Sequence, residues 1–314
     1  MKVLNGYSSL KKYTKKNTVL TIGNFDGIHK GHQKIIKEAV KISKNNNLKS
    51  VVITFKPHPN EFFKRVKAPF KLTNDKIKID EIDKLGVDYL IFLKFDKNFN
   101  KQSPERFIKK LIFLNPKHIV VGYNFYFGYK RKGDTNLLKK LSNKYLYKLK
   151  IINPVVGDNN KVFNSTLIRK NLELGKYESV KKMLGRNWLL EGKVIKGSGR
   201  GKELGYPTAN FIINDYVQPM KGVYITKSFL KNNKKGYFGI ANIGNRPTFN
   251  EKKIFFENHF FNVKDFLYGR TIFVELLAFL RKEKKFANIE KLRKQIEKDI
   301  FMAKKFLVRK KNEL

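Results

Sequence analysis

The chain contains no cysteine, a single tryptophan and only five histidines in 314 residues. Without cysteine there are no disulfides, no thiolate metal sites and no thiol nucleophile. No stretch approaches the roughly 18 uninterrupted apolar residues of a membrane helix. The opening residues, MKVLNGYSSLKKYTKKN, hold no apolar block of the kind a secretory signal needs. These absences lead to the expectation of a cytoplasmic protein with no membrane partner. Arginine is scarce too: 57 Lys stand beside 11 Arg, and 26 acidic residues leave a net charge of +42.

Such a charge is the electrostatic footprint of a nucleic-acid binder. Here, however, the lysines are spread along the whole length, and clusters such as Lys15-Lys16, Lys181-Lys182 and Lys284-Lys285 are short. A basic patch alone is a weak motif. The excess of Lys, with abundant Asn and Ile, reads as compositional bias, so no specific nucleic-acid partner is expected. The charge still draws anionic substrates in a salt-dependent way. Against this lysine background Arg131, Arg169, Arg200 and Arg246 fall inside the motifs below, where a planar two-pronged donor is suited.

Hydrophobic residues make up 41% and aromatic residues 13%, enough for packed cores and against a disordered chain. The length suits two domains. In the first half apolar runs at 19–22, 51–55, 89–93, 119–121 and 149–152 alternate with helical patterns, the first with Ile35, Ile36, Ala39 and Val40 on one face. Strands alternating with helices predict a parallel sheet covered on both faces. After about residue 186 the periodicity changes. Short segments at 189–195, 209–213, 222–229, 236–243, 254–261 and 271–279, punctuated by Gly, Asn and Pro, predict an antiparallel barrel. From residue 287 onward Ile289, Leu292, Ile296, Ile300 and Ala303 form one helical stripe expected to pack on it. The expected domains are 1–186 and 187–314.

Between the first strand and first helix runs Gly23-Asn24-Phe25-Asp26-Gly27-Ile28-His29-Lys30-Gly31-His32. Glycines allow close backbone approach to a phosphate chain, and the helix start offers N–H groups and a positive dipole end. His29 and His32 can both face that site. Zinc would require further ligands, which no cysteine supplies. Phe55 to Pro59, Gly122 to Gly128 and Asn164 to Arg169 also follow strands, so all converge at the carboxyl edge where open sheets bind ligands.

The pattern G-x-F-D-G-x-H-x-G-H followed by T-F-x-P-H-P resembles the nucleotidyltransferase domain of prokaryotic FAD synthetases. That resemblance implies a Rossmann-like domain that adenylylates FMN. It places His29 and His32 on the ATP phosphates, with Gly23, Phe25, Asp26 and Gly31 around them. Ser165, Thr166 and Arg169 would bind the triphosphate, and Asn124 and Tyr126 the flavin. The family more often has Ser at 164 and Asp and Arg at 124 and 126, so the fine flavin contacts differ. FMN brings an anionic phosphate, so this step requires alignment and charge stabilisation rather than a base.

In the second half Gly197-Ser198-Gly199-Arg200-Gly201-Lys202 suggests a flexible flap over phosphates, without the Walker spacing. Thr208 and Asn210, two apart on an extended segment, offer neutral oxygens suited to Mg²⁺. The run Pro207-Thr208-Ala209-Asn210, with Asn242 to Phe249, Glu257 and Leu280 to Phe286, is similar to the riboflavin kinase fold. By that resemblance Gly197, Gly199 and Arg200 bind ATP phosphate, Arg246 contacts flavin, and Glu257 is the catalytic base. Glu257 lies among Phe255, Phe256, Phe260 and Phe261, where an idle charge is costly. Glu275 is its rival.

The combined expectation is a bifunctional enzyme taking riboflavin to FMN and FMN to FAD, with ATP, Mg²⁺ and flavins as its small-molecule partners. A single-function adenylyltransferase for another phosphorylated substrate and a basic nucleic-acid-binding protein are the alternatives. Homo-oligomerisation is left open.

Overall fold

The computed structural model describes residues 1–12, 16–63, 69–197, 199–213, 215–230, 233–245, 254–261 and 267–312. The chain divides into two compact units, Met1–Ala68 with Asp75–Ser165, and Pro69–Asn74 with Thr166–Leu314.

The first unit carries strands β1 (Lys2–Asn5), β2 (Thr18–Ile22), β3 (Lys49–Lys56), β4 (Tyr89–Lys94), β5 (Pro116–Gly122) and β6 (Lys148–Ile152). Its helices are α1 (Ser8–Lys11), α2 (Lys30–Asn45), α3 (Pro59–Phe62), α4 (Asp75–Asp83), α5 (Lys97–Asn100), α6 (Pro104–Ile112) and α7 (Thr135–Tyr145). The strands pair in parallel in the order β1-β4-β3-β2-β5-β6. Alternate strand residues feed cores on the two faces of the sheet. Leu20, Ile22, Val51, Ile53, Ile119 and Val121 pack with Phe107, Ile108 and Leu111 of α6. On the other face Val52 and Leu90 pack with Ile36 and Val40 of α2 and Ile82 of α4. Both faces are covered, which is why these strands read as continuous apolar runs. Strand order reverses between β2 and β5, and the crevice at such a switch point is where doubly wound sheets bind ligands.

The second unit contains α8 (Ser165–Glu173), whose first residue closes the first unit, and α9 (Tyr177–Leu184). Then come β7 (Trp188–Lys193), α10 (Arg200–Glu203), β8 (Thr208–Ile212), β9 (Gly222–Leu230), β10 (Asn233–Asn245), β11 (Ile254–Phe260), β12 (Thr271–Lys282) and α11 (Ile289–Asn312). The sheet is antiparallel in the order β7-β12-β9-β10-β11-β8. Its ends meet where Ile195 just beyond β7 bridges Asn210 on β8, with an N–H···O bond of 2.7 Å. Trp188, Leu190, Phe211, Tyr224, Ile243, Phe256 and Val274 are all buried, and the Phe211 and Phe256 rings stack at 4.4 Å. A polar cluster shares the buried region: Thr226 donates to Asn258 Oδ1 at 2.9 Å and Asn258 Nδ2 to Ser228 at 3.0 Å.

Ile296, Ile300, Ala303, Phe306 and Leu307 of α11 cover Val223, Ile225, Ile240 and Leu277. The expected stripe is thus confirmed over its middle, whereas Ile289 at the helix start is 69% exposed. Arg281 at the end of β12 anchors the helix through a bidentate bond to the buried Asp299, at 2.7–2.9 Å. The segment 69–74 pairs within this unit: Lys71 bridges Tyr216, and the Trp188 indole donates to the Leu72 carbonyl at 2.8 Å.

Candidate active sites

In the first unit, the loop from β2 to α2 is held at alternate carbonyls. Asn24 O accepts Lys78 Nζ at 2.9 Å and Thr54 Oγ1 at 3.1 Å. Asp26 O accepts Ser165 Oγ at 2.8 Å. Ile28 O accepts Gln33 Nε2, also at 2.8 Å. Between these fixed points Phe25 and Ile28 adopt positive φ, 44° and 42°, a sparse region for bulky and β-branched residues. Both side chains are buried at 1% exposure, and this packing holds the strained backbone.

His29 is the N-cap of α2. Its Nδ1 accepts from the Gly31 N–H at 3.1 Å and the His32 N–H at 3.4 Å. A nitrogen that accepts from the backbone carries no proton, so the proton of the neutral ring sits on Nε2 as a donor. The ring stacks on His32 with centroids 3.7 Å apart. A Cβ at position 31 would lie 2.9 Å from the His29 ring, which explains the glycine there. The loop therefore presents an imidazole donor beside a helix start, a combination suited to an anion.

His58 plays a similar capping role. It caps α3, accepting the Asn60 N–H at 3.1 Å, while Glu61 accepts the His58 N–H at 3.0 Å. The T-F-x-P-H-P motif accordingly builds a capping box. After β5, Asn124 and Tyr126 are exposed, and the Arg131 guanidinium lies 4.6 Å from the Tyr126 ring centre. A bridge between Phe127 and Gly133 closes this loop. In the second unit Arg169 donates through Nε to the Phe70 carbonyl at 2.7 Å, and Thr166 is exposed.

The barrel of the second unit aligns the other expected group. In the β11 ladder Glu257 stands directly opposite Asn210 of β8 on one side and Asn242 of β10 on the other. Directly paired residues share a face, so these three side chains are neighbours. Thr208 follows on that face, opposite His259, and its Oγ1 accepts Asn210 Nδ2 at 3.3 Å. Burial holds the His259 imidazole below its ordinary pKa, while its bond to the Pro207 carbonyl acts in the other direction.

A flexible flap was expected at 197–202. The structure has Gly197 packed on the Asn210 side chain and Gly201 against the Tyr206 carbonyl and Thr208 Oγ1 so closely that a Cβ would clash at both. One helical turn, α10, completes it. Ser198, Arg246 and the side chain of Arg200 lie outside the described residues. Glu275 is remote in the strand order, with β9 and β10 between β12 and β11, and it accepts Asn187 Nδ2 at 3.1 Å. Glu283, which the sequence reading did not single out for a role, accepts Asn242 Nδ2 at 3.3 Å.

Comparison with known proteins finds a family match in each half of the chain. A model of FAD synthetase matches residues 11–167 and a model of riboflavin kinase matches 184–307. A bifunctional riboflavin kinase/FMN adenylyltransferase of Buchnera aphidicola subsp. Schizaphis graminum is 39% identical, covering 98% of this chain and 99% of that one. The chain belongs to the bifunctional riboflavin kinase/FMN adenylyltransferase family. The family's Escherichia coli K12 member is 34% identical, with 98% of both chains covered. A crystal structure described as a macrolide-efflux protein from Streptococcus pneumoniae superposes with a TM-score of 0.86 at 27% identity, covering 97% of this chain and 99% of the other. Among the described residues no helix is long and apolar enough to cross a membrane.

For a member of this family, the sequence motifs located the helix cap His29 and the ladder residues Asn210 and Glu257. They did not locate Lys78 or Gln33, which act on backbone carbonyls and lie outside those motifs, and the T-F-x-P-H-P motif gave no sign that its Thr54 bonds the Asn24 carbonyl.

Proposed function

We infer that the chain phosphorylates riboflavin to FMN in its barrel and adenylylates FMN to FAD at the β2–α2 loop, each step using ATP. The observation that carries this reading is the ladder register that sets Glu257 beside Asn210 and Thr208.

In the barrel, Glu257 takes the proton of the ribityl hydroxyl as its oxygen attacks the γ-phosphorus, and ADP leaves. Thr208 and Asn210 present side-chain oxygens on one face, under a flap whose glycines approach both, and so fit a Mg²⁺ ion. Bound there, the ion would neutralise phosphate charge. Gly197, Gly199 and Arg200 would cover the phosphates, and Arg246 would meet the flavin.

At the loop, a phosphate oxygen of FMN attacks the α-phosphorus of ATP and pyrophosphate leaves. His29 Nε2–H, His32 and the positive dipole end of α2 stabilise the developing charge. Gly23, Phe25, Asp26 and Gly31 shape the cradle, and Ser165, Thr166 and Arg169 are the residues proposed to contact the triphosphate. Asn124 and Tyr126 contact the flavin. Residues 1–186 and 187–314 are the proposed catalytic domains, and the cytoplasm, where ATP is plentiful, is the proposed location.

Incubation of the purified chain with riboflavin, ATP and Mg²⁺ tests the proposal. Chromatography should show FMN first and FAD afterwards. Absence of FMN would remove the kinase assignment, and absence of FAD from supplied FMN would remove the transferase assignment.

A further inference from the structure

We propose that Lys78 is a positioning residue for adenylyl transfer, acting from α4 on the Asn24 carbonyl to fix the loop between β2 and α2. The inference rests on reading the first unit as an FMN adenylyltransferase.

Lysine is rarely buried unless its ammonium is bonded. Lys78 is 5% exposed on α4, and its Nζ donates to Asn24 O at 2.9 Å. The fully buried Thr54 of β3 donates to the same oxygen at 3.1 Å. One peptide thus receives donors from a helix and a strand. That peptide immediately precedes Phe25, whose φ is 44°.

Strained backbone persists only where its surroundings over-determine it. The clamp on Asn24 is the first of three on alternate carbonyls, followed by Ser165 on Asp26 and Gln33 on Ile28. Together they orient the run of residues that ends in His29. The ammonium of Lys78 also sets positive charge beneath the loop that receives a triphosphate. Adenylyl transfer depends on alignment of the FMN phosphate with the α-phosphorus, so a loosened loop acts on the rate more than on binding.

The test uses the full chain. Wild-type protein is first assayed for FAD from FMN and ATP; if it makes none, the transferase reading itself fails. Lys78→Met keeps the apolar stem and removes the donor. Its kcat for FAD formation should fall by about tenfold or more, with the KM for FMN changed by less than about threefold. Lys78→Arg should recover part of that rate, and riboflavin phosphorylation should be unaltered in both variants. Thr54→Val, which removes the other donor on the same oxygen, should lower the same kcat to a smaller extent. The proposal is overturned by wild-type FAD formation in Lys78→Met, or by a loss shared equally by both activities. If Lys78→Met does not fold, an unaltered kcat in Thr54→Val overturns it.

Discussion

The Nδ1 atom of His29 accepts the Gly31 N–H at 3.1 Å, so one imidazole both caps α2 and presents its other nitrogen as a donor. The two roles are separable by substitution. His29→Ala should lower FMN-to-FAD conversion by about 10²–10³, the effect of removing one preorganised charge stabiliser. It should also remove a helix cap worth about 1 kcal/mol. His29→Asn restores a good cap without an Nε2–H. Its melting temperature should return toward wild type while FAD formation stays low. Recovery of FAD formation in His29→Asn would show that capping alone is the residue's contribution.

The kinase base is tested by Glu257→Gln, which keeps shape and removes the proton acceptor. FMN formation should fall by about 10²–10⁴, and FAD formation from supplied FMN should persist. Glu275→Gln should leave both rates nearly unaltered, because Glu275 bonds Asn187 and is separated in strand order from β11. The reverse pattern would transfer the assignment to Glu275.

Much of this arrangement was legible in the sequence, for identifiable reasons. Strands β2, β3 and β5 are buried on both faces, so their residues form unbroken apolar runs that periodicity detects. Strand β1 escaped notice because only Leu4 of its four residues is buried. The segment 69–74 also escaped notice, since Lys71 and Leu72 join a unit otherwise made of residues beyond 165. The same limit applies to Ser165. Its motif marked a phosphate contact and gave no sign of the bond that its Oγ makes to a carbonyl 139 positions away. Such long-range side-chain-to-backbone bonds leave no local pattern.

Asp88 provides a pH-dependent prediction. Burial alone would raise its pKa. Bonds from Lys49, the Ser50 N–H and the Ser50 hydroxyl more than offset that and hold it below the ordinary value of 3.8. A depressed carboxyl contributes stability above its unfolded pKa and loses that contribution as pH falls through the folded one. Asp88→Asn should therefore destabilise the first unit at neutral pH by about 1 kcal/mol, reduced by partial exposure of the pair. The melting-temperature gap from wild type should close as pH drops below the usual carboxylate range. A gap that stays constant to low pH would indicate packing rather than charge.

The proposed domains are tested by truncation, and the structure sharpens the choice of cut. Tyr177, Val180, Met183 and Leu184 of α9 are buried, and the Tyr177 ring lies 5.2 Å from that of Tyr224 on β9. The Met220 N–H also bonds the Leu172 carbonyl of α8 at 2.9 Å. A fragment of residues 166–314 keeps these contacts, whereas 187–314 exposes Tyr224 and leaves the Met220 amide to water. Exchanging that hydrogen bond for one to water costs about 0.5–1.5 kcal/mol. The longer fragment should unfold cooperatively and convert riboflavin to FMN without making FAD. The shorter should melt lower yet retain some kinase activity, since Thr208, Asn210 and Glu257 all lie within it. Both fragments lack Leu72, whose carbonyl holds the indole of Trp188, the only tryptophan in the chain. Tryptophan emission should therefore shift to the red in both relative to the full chain, reporting on that contact without any other chromophore of its kind. A fragment of 166–314 that folds cooperatively but leaves riboflavin unphosphorylated would show that the kinase site needs residues outside it.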